Sequence, residues 1–378
     1  MNASLHDRWW RLATGGRPRA MSDHLLLGAL QGGSALYGGV TRLRNLAYDR
    51  GWFPQVRIPC PVVSVGNLTV GGTGKTACVE LLAEKFLRLG RAVAILSRGY
   101  AGRRGGTYWL KTEGERLLLN GGTVATDGGL PDEPQLLARH LEGVPIGIGS
   151  RRERTGREAI SQHGAEIAIL DDGMQYRRLH RDCEIVLVNG RMPLSGWPLL
   201  PRGPMREPLT SLRRADVILI TKVDESLHLT AALQERLRAF NPQAVTATAL
   251  HEPVQLRDGR TDMEMSLERL SRSRVALISS IGDPEGFEQT ARRLGTTIEA
   301  HRAYPDHHAY EPAEWQGIVA WAASLRVEAV VTTEKDFIRL RPLLETSDRL
   351  PVWVLRIRMR ILDGEARLDD RLAAVCAR

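Results

Sequence analysis

The stretch VSVGNLTVGGTGKT, residues 63–76, runs from a β-branched segment through a cluster of glycines to Gly-Lys-Thr. The usual phosphate-loop pattern, G-x-x-x-x-G-K-[ST], requires a glycine five places before the last glycine, where this chain has Thr69. Gly71 and Gly72 supply that freedom one turn later, because glycine adopts positive φ and lets consecutive amides approach an anion. We therefore predict a buried strand, a phosphate-binding loop and a helix in this order.

The loop also carries the side chains that a nucleotide site needs. The N-terminus of the predicted helix contributes free amides and a partial positive charge. Lys75 is placed to reach the β- and γ-phosphates and to act in catalysis, and the Thr76 hydroxyl is placed to bind Mg²⁺. The predicted nucleotide contacts in the loop are Gly71, Gly72, Thr73, Gly74, Lys75 and Thr76.

Short apolar runs separated by helical segments continue along the chain. They read AVAILSRG (92–99), AEIAILDDG (165–173), CEIVLVNG (183–190) and ADVILITK (215–222). Continuous apolar strands of this kind predict a parallel sheet that is covered by helices on both faces. Ligands of such sheets bind beyond the carboxyl ends of the strands, where this chain places its glycines and paired acids.

Two adjacent acids, Asp171 and Asp172, directly follow the apolar strand predicted over residues 167–170. Neighbouring carboxylates repel each other, so a cation such as Mg²⁺ stabilises them. We predict that both acids hold this metal; an ordinary polar turn is the alternative.

Further polar residues lie in loops whose role the residue types alone leave open. Asp132 and Glu133 precede a helix and are either helix caps or catalytic groups. A proline-rich loop contains Arg206 and Glu207, and a turn contains Asp306, His307 and His308, which are either a site or a surface loop. Arg98 follows a strand and is predicted to face the ligand side of the sheet.

The element Thr221-Lys222-Val223-Asp224 supports a rival interpretation. It resembles the N-K-x-D element with which GTPases bind guanine, with Thr in place of Asn. A GTPase-type metallochaperone or switch protein therefore stays open as an alternative, as does a nucleotide-binding scaffold without catalytic activity.

The composition is that of a globular protein, with 43% hydrophobic and 25% charged residues among 378. The four cysteines lie far apart, which argues against a disulfide framework or a zinc site and favours a reducing cytoplasm. The net charge of +8 indicates an acidic partner. We expect no nucleic acid, because no basic stretch is interleaved with aromatic residues for base stacking.

The first fifty residues differ from the rest of the chain. An apolar run of small residues spans 25–40, shorter than a bilayer-crossing helix, and Arg42 and Arg44 follow it. Such a segment suits a helix that lies in the headgroup region of an anionic membrane. A helix packed on the protein's own core is the alternative.

Taken in order, several motifs resemble one family, the tetraacyldisaccharide 4'-kinases of lipid A biosynthesis in Gram-negative bacteria. The motifs are VGNLTVGGTGKT, LSRGY, DEPQLLA, LDDGMQYRRLHRD, GPMREPL, YPDHHAY and TTEKDFIRL, within about residues 20–345. The resemblance implies an α/β fold with a P-loop NTPase-like parallel sheet, a second smaller α/β lobe and an N-terminal membrane-associating helix. It further implies transfer of the γ-phosphate of ATP, with Mg²⁺, to the 4'-hydroxyl of tetraacyldisaccharide 1-phosphate at the cytoplasmic face of the inner membrane.

The resemblance also assigns roles to individual residues. Asp132 becomes the candidate base and His307 the residue that orients it, the two coming from different lobes that close over the substrate. Further polar positions match near nucleotide, metal or acceptor. They are Gln175 for the nucleotide, Glu207 for the metal, and Arg98 and Glu133 for the acceptor.

The implied organisation comprises an N-terminal segment (1–52), a kinase core lobe (53–250), a β-ribbon linker (251–273) and a smaller C-terminal lobe (274–378). The chain departs from the family pattern locally, with Ala101 after SRGY, Pro131 before Asp132, and Asn189 in place of an acid. Within DDGMQYRRL, Met174 and Tyr176 stand where the family usually has Phe and His.

Overall fold

The computed structural model describes residues 9, 12–13, 20–99, 106–114, 116–123, 129–191, 197–223, 227–344 and 350–377. Its contacts divide the chain into two compact units. The first unit comprises Met1–Arg98, Gly149–Leu250 and Ile361–Arg378, and the second comprises Gly99–Ile148 and His251–Arg360.

The strands are β1 Val62–Asn67, β2 Val93–Ser97, β3 Tyr108–Glu113, β4 Arg116–Leu119, β5 Gly122–Thr123, β6 Ile146–Ile148, β7 Ile167–Asp171, β8 Cys183–Asn189, β9 Val217–Thr221, β10 Val245–Asp258, β11 Glu264–Met265, β12 Arg274–Ser279, β13 Thr297–Ala303, β14 Ala329–Thr333 and β15 Val352–Asp363. The helices are α1 Met21–Asp49, α2 Lys75–Arg88, α3 Asp132–His140, α4 Arg152–His163, α5 Leu227–Phe240, α6 Glu268–Ser271, α7 Pro284–Arg293, α8 Pro312–Ser324, α9 Glu334–Leu340 and α10 Glu365–Cys376. Two 3₁₀ turns, Leu209–Arg214 and Arg341–Leu343, complete the described elements.

The first unit is built on a parallel sheet in the order β10-β9-β8-β1-β7-β2. Every residue of β1, β2, β7, β8 and β9 is buried. Such burial on both strand faces is expected of a parallel sheet that helices cover on each side. The predicted parallel α/β core is therefore confirmed.

Strand β1 and the loop after β7 approach each other without an intervening side chain. A Cβ atom on Gly66 would lie 2.4 Å from the Cβ of Met174 and 2.7 Å from its backbone nitrogen. The amide of Gly173 donates a hydrogen bond of 2.9 Å to the carbonyl of Val65. These contacts fix the start of the phosphate loop against the loop that carries the paired acids.

Helix α1 reverses the usual arrangement of apolar and polar residues. Its buried residues are polar or small, and include Ser34, Gly38, Thr41 and Asn45. Five of its large apolar residues are more than half exposed instead: Met21 (76%), Leu25 (71%), Leu36 (73%), Val40 (60%) and Leu43 (62%). We call these five residues the outer stripe of α1. No helix among the described residues is long and apolar enough to cross a membrane.

The second unit contains a parallel sheet in which β12 lies between β13 and β14, and β14 pairs with β15. Alternate residues point to opposite faces, so Ile278 and Val330 enter one apolar cluster and Leu277 and Val331 enter another. Strands β3, β4, β5 and β6 form antiparallel pairs in the same unit, and β10 pairs with β11 as a two-stranded ribbon.

The units differ from the partition predicted by chain order. Residues 99–148, predicted in the core lobe, group with the second unit, and Ile361–Arg378 group with the first. The physical reason is that compactness depends on spatial contacts, and the chain leaves and re-enters each unit. The ribbon of β10 and β11 lies across the segment 251–273 that was predicted as a linker.

Candidate active site

The phosphate loop has the backbone that its glycines predict. Gly71 and Gly74 adopt φ of 100° and 86°, and Gly74 caps the N-terminus of α2. Thr69 instead forms an isolated antiparallel bridge with Met205, and the amide of Val70 donates to the carbonyl of Pro204 at 2.8 Å. Thr69, which stands where the usual pattern has glycine, is thus held beside Met205. The glycines with left-handed φ come after it.

Side chains at the ends of two strands, β1 and β9, hold the loop in place. Asn67 donates to the hydroxyl of Thr73 at 2.9 Å, and the hydroxyl of Thr221 donates to the Thr73 carbonyl at 2.8 Å. Nζ of Lys222 donates to the carbonyl of Gly72 at 2.5 Å. The Thr-Lys pair that raised the GTPase alternative therefore binds the phosphate loop itself, and Asp224 lies outside the described residues.

The two acids after β7 have different surroundings. Asp171 is 3% exposed and accepts a hydrogen bond of 3.1 Å from the hydroxyl of Ser97. Asp172 adopts a left-handed φ of 50°. Both of its oxygens lie 3.1 Å from the Arg206 guanidinium, and Lys75 Nζ is 3.4 Å away.

The pKa of Asp172 reflects this pairing. Burial alone would raise it, but the charges of Lys75 and Arg206 outweigh burial and hold the pKa below its ordinary value. The structure therefore brings together Lys75 of the loop and one predicted metal ligand, Asp172.

Glu207, predicted as a metal ligand, is surrounded by groups that donate hydrogen bonds to it. Its side chain is fully buried, and its oxygens accept hydrogen bonds from Arg44, Asn45, Ser211 and Arg214 at 2.8–3.1 Å. Two guanidinium groups thus neutralise this carboxylate, and its role as a metal ligand stays a prediction. Glu207 ties the loop before it to helix α1.

Other predicted first-unit residues lie near the strand ends. The amide of Gln175 donates to the carbonyl of Asn67 at 3.0 Å, which places it beside the end of β1. Thr76 is the second residue of α2 and is partly exposed. Arg98 is exposed directly after β2. The following residues, Tyr100 and Ala101, lie outside the described ranges.

The second unit contains its own charged cluster around Asp132, the first residue of α3. Oδ2 of Asp132 is 3.2 Å from Nδ1 of His307, which adopts a left-handed φ of 62°. Arg339 also donates to this oxygen. Asp132 and His307 were predicted in different lobes, but both belong to the second unit.

Helix α9 supplies two cations that complete the cluster. Lys335 Nζ is 3.4 Å from Nε2 of His307 and 3.2 Å from Glu133. Arg339 also donates to Asp336 at 2.6 Å and to the hydroxyl of Ser280 at 2.7 Å. Glu133, predicted to contact the acceptor, is thus ion-paired with Lys335.

The pKa of Asp132 is lowered by these neighbours. Burial would raise it, but hydrogen bonding from His307 and the charges of Arg339 and Lys335 outweigh burial. The carboxylate is therefore ionised at neutral pH and able to accept a proton.

Sequence reasoning assigned no role to Lys335, Arg339 or Arg152. The motif TTEKDFIRL contains the first two, and their spacing of four residues, which places both on one face of α9, is the signal that could have found them. Arg152 carries no motif signal of its own.

A glycine loop between a buried strand and a helix, with its lysine joined to an acid at the neighbouring strand end, defines a P-loop nucleotide-binding protein. Among the described residues, no group of three or more His, Cys, Asp or Glu side chains forms a metal cluster.

Comparison with known proteins agrees with this class. The family model for LpxK, tetraacyldisaccharide-1-P 4'-kinase, matches residues 26–377. A tetraacyldisaccharide 4'-kinase from Syntrophus aciditrophicus is 41% identical over 84% of this chain and 85% of its own length. One from Anaeromyxobacter sp. (strain K) is 39% identical over 98% and 96%. A crystal structure of LpxK from Aquifex aeolicus in complex with ATP has a TM-score of 0.70 at 29% identity, covering 93% of this chain and 99% of that chain.

The chain belongs to the tetraacyldisaccharide-1-P 4'-kinase family. It is an enzyme, a kinase of lipid A biosynthesis, and the resemblance inferred from the ordered motifs is confirmed. The kinase interpretation is favoured over the GTPase alternative.

Proposed function

We propose that this protein transfers the γ-phosphate of ATP to the 4'-hydroxyl of tetraacyldisaccharide 1-phosphate. The observation that carries the proposal is the phosphate loop. Its Lys75 is joined to Asp172, and its backbone carbonyls are held by Thr221 and Lys222. Because Thr221 and Lys222 bind the carbonyls of Thr73 and Gly72, the amides of the loop and Lys75 remain to bind the β- and γ-phosphates of ATP.

The residues at these strand ends fit Mg²⁺, which prefers oxygen ligands. Thr76 offers a hydroxyl in the first turn of α2, and Asp171 offers a buried carboxylate that also accepts a hydrogen bond from the hydroxyl of Ser97. Asp172 is the second carboxylate and is paired with Lys75 and Arg206. When bound, the ion neutralises charge on the β- and γ-phosphate oxygens.

Asp132 is the proposed acceptor of the hydroxyl proton. As the 4'-oxygen bonds to the γ-phosphorus, the bond from that phosphorus to the β,γ-bridging oxygen breaks and the hydroxyl proton moves to Asp132. A lowered pKa makes this carboxylate a weak base, which suffices because phosphoryl transfer relies mainly on positioning and charge stabilisation. His307 would orient Asp132 through the bond between Nδ1 and Oδ2.

The acceptor carries acyl chains, so we propose that the enzyme works at an anionic membrane surface on the cytoplasmic side of the inner membrane. The outer stripe of α1 supports docking, because large apolar residues in this number rarely remain exposed without a partner. Trp52 and Phe53, exposed by 61% and 47%, follow α1 and suit the membrane interface.

The deciding experiment incubates the purified protein with γ-labelled ATP, Mg²⁺ and tetraacyldisaccharide 1-phosphate in mixed micelles. We expect label in the lipid product, and Asp132→Asn should lower transfer by about 10²-fold or more while ATP still binds. Absence of labelled lipid from a wild-type sample that binds ATP would refute the transfer reaction. Near-normal turnover of Asp132→Asn would refute only the role of the base.

A further inference from the structure

Arg152, the first residue of α4, is a buried cation without an obvious counterion. The residue is 4% exposed, and its Nε atom is buried without a hydrogen-bond partner. Within the described ranges, no carboxylate forms an ion pair with it. This state is costly, since burial removes water from the Nε atom and no hydrogen bond replaces it.

Another buried arginine of the same unit shows the usual solution. Arg177 is 7% exposed and donates to the Asp49 carboxylate at 2.7 Å and to the Asn45 carbonyl at 3.0 Å. The fold is therefore able to satisfy an arginine at this depth. The difference indicates that Arg152 is held for a partner that is not part of the chain.

The guanidinium of Arg152 packs against the face of an aromatic ring. Its Cζ lies 4.7 Å from the ring centroid of Tyr176. The Tyr176 hydroxyl donates to Glu153 and accepts a hydrogen bond of 3.2 Å from the Arg152 amide. Burial and the Glu153 charge raise the pKa of Tyr176 to about 12, so this hydroxyl keeps its proton at neutral pH.

Glu153 is not the missing counterion. Its carboxylate is taken by Tyr176 and lies 3.3 Å from Arg151 and 3.2 Å from Arg178. Tyr176 stands where the family usually has His. Its hydroxyl binds Glu153, which orients the ring, and the face of the ring packs against the guanidinium of Arg152.

The surroundings of Arg152 connect it with the phosphate site. Asp171 and Asp172 attract its charge and Arg98 repels it, while burial lowers its pKa below the ordinary value. Arg98 follows β2 and the two acids follow β7, so Arg152 lies within electrostatic range of the carboxyl ends of two adjacent strands. An anion bound there would face a cluster that already contains Lys75 and Arg206.

We propose that Arg152, stacked on Tyr176, is a binding site for a phosphoryl group of a substrate. The planar guanidinium donates two parallel hydrogen bonds that match phosphate oxygens. This inference rests on the proposed kinase function, which offers two sources for the group. One is the γ-phosphate of ATP, and the other is the 1-phosphate of the lipid acceptor.

The test compares Arg152→Met with the wild type in two sets of measurements, one of nucleotide binding and one of acceptor kinetics. In the first, calorimetry gives the affinities for a non-hydrolysable ATP analogue and for ADP, both with Mg²⁺. In the second, the KM is measured for the acceptor and for the same lipid lacking its 1-phosphate. Arg154→Met is the matched control, because Arg154 lies on the same helix, is largely exposed and pairs with Glu158.

Binding of the γ-phosphate predicts about tenfold weaker affinity for the ATP analogue with unchanged affinity for ADP. Binding of the lipid phosphate predicts about tenfold higher KM for the phosphorylated acceptor only, with both nucleotide affinities unchanged. Unchanged values in both sets overturn the proposal. The nucleotide measurements need no phosphoryl transfer, so they distinguish failure of this inference from failure of the kinase reaction.

Variants of Tyr176 separate positioning from mere stability. Tyr176→Leu removes the aromatic face and should reproduce the selective loss seen with Arg152→Met, at about threefold. Tyr176→Phe keeps the face and should retain most of the affinity. If Tyr176→Leu lowers thermal stability but leaves the affected affinity unchanged, the ring has no positioning role. If Arg152→Met fails to fold, Arg152→Lys keeps the charge without the planar fork and should show part of the same loss.

Discussion

Lys335 directs its ammonium group at Nε2 of His307, 3.4 Å away. An ammonium only donates hydrogen bonds, so in this contact Nε2 acts as the acceptor and the ring hydrogen lies on Nδ1. That proton faces the carboxylate of Asp132. Lys335 therefore selects the tautomer in which His307 donates to the proposed base.

Lys335→Met tests this selection. Without the ammonium, the other tautomer becomes available and places a bare nitrogen against the Asp132 carboxylate. We expect kcat to fall about tenfold, equivalent to about 1.4 kcal/mol, with little change in KM for ATP. Lys111→Met is the control, since Lys111 is an exposed lysine of the same unit and pairs with Glu113. An unchanged kcat for Lys335→Met would show that Lys335 is not needed to set the tautomer of His307.

Arg339→Gln should shift the acid side of the pH–rate profile. Burial raises the pKa of Asp132, and His307 and Arg339 lower it by more, so the net direction is downward. A base works only above its own pKa, and removing a cation raises that pKa. The acid limb of kcat should therefore move to higher pH by about one unit. Arg341→Gln, at an exposed position, should leave the profile in place. A limb that stays unmoved in Arg339→Gln would show that another group controls it.

Glu207→Gln should destabilise the protein without changing its Mg²⁺ requirement. The substitution leaves the partly buried guanidinium of Arg214 without the buried carboxylate that pairs with it, and breaking such a pair costs about 3 kcal/mol. Urea unfolding measures this loss, and a Mg²⁺ titration of the residual activity gives the second readout. A weaker apparent affinity for Mg²⁺ with unchanged stability would instead support Glu207 as a metal ligand.

The same variant has a defined pH dependence. Burial raises the pKa of Glu207, but Arg214, Ser211 and Asn45 outweigh it and lower the pKa below the ordinary value of 4.5. A group with a lowered folded pKa contributes stability above its unfolded pKa and loses it as the pH falls. The stability difference between wild type and Glu207→Gln should thus be full at neutral pH and shrink below about 4.5.

The double variant Leu36→Glu/Val40→Glu should weaken membrane binding. Both residues belong to the outer stripe of α1, and two carboxylates there add a charge that an anionic surface repels. We expect at least a tenfold loss of co-sedimentation with phosphatidylglycerol vesicles. Leu89→Glu is the control, at a residue 53% exposed outside α1. Equal binding by all three proteins would place the docking surface elsewhere.

The sequence predicted the fold best where one physical requirement dominates. The strands β1, β7 and β8 are read as continuous apolar runs because both faces are buried. The segment of β3 was missed, since YWLKTE mixes apolar and charged residues in a short antiparallel strand. The order of residues along the chain also could not predict which unit a segment joins, because residues 99–148 pack with residues 251–360.

Site residues divided along the same line. The positions of Lys75 and Asp172 at the ends of strands were predictable because a local pattern encodes them. The partners of Glu207 on α1 were not predictable, because they lie more than 160 residues earlier. The pairing of Lys335 with His307 spans 28 residues and depends on the placement of α9, which no local spacing encodes.

The absent side chain at Gly66 has a mechanical consequence. With Met174 in direct contact with its backbone, the strand that leads into the phosphate loop and the loop that bears Asp171 and Asp172 are joined as one rigid piece. Even alanine at Gly66 would place its Cβ atom 2.4 Å from that of Met174, so the two segments would have to separate by about 1 Å to reach van der Waals contact. The close fit at Gly66 therefore sets the distance between the strand before the nucleotide loop and the loop that offers carboxylates to a cation.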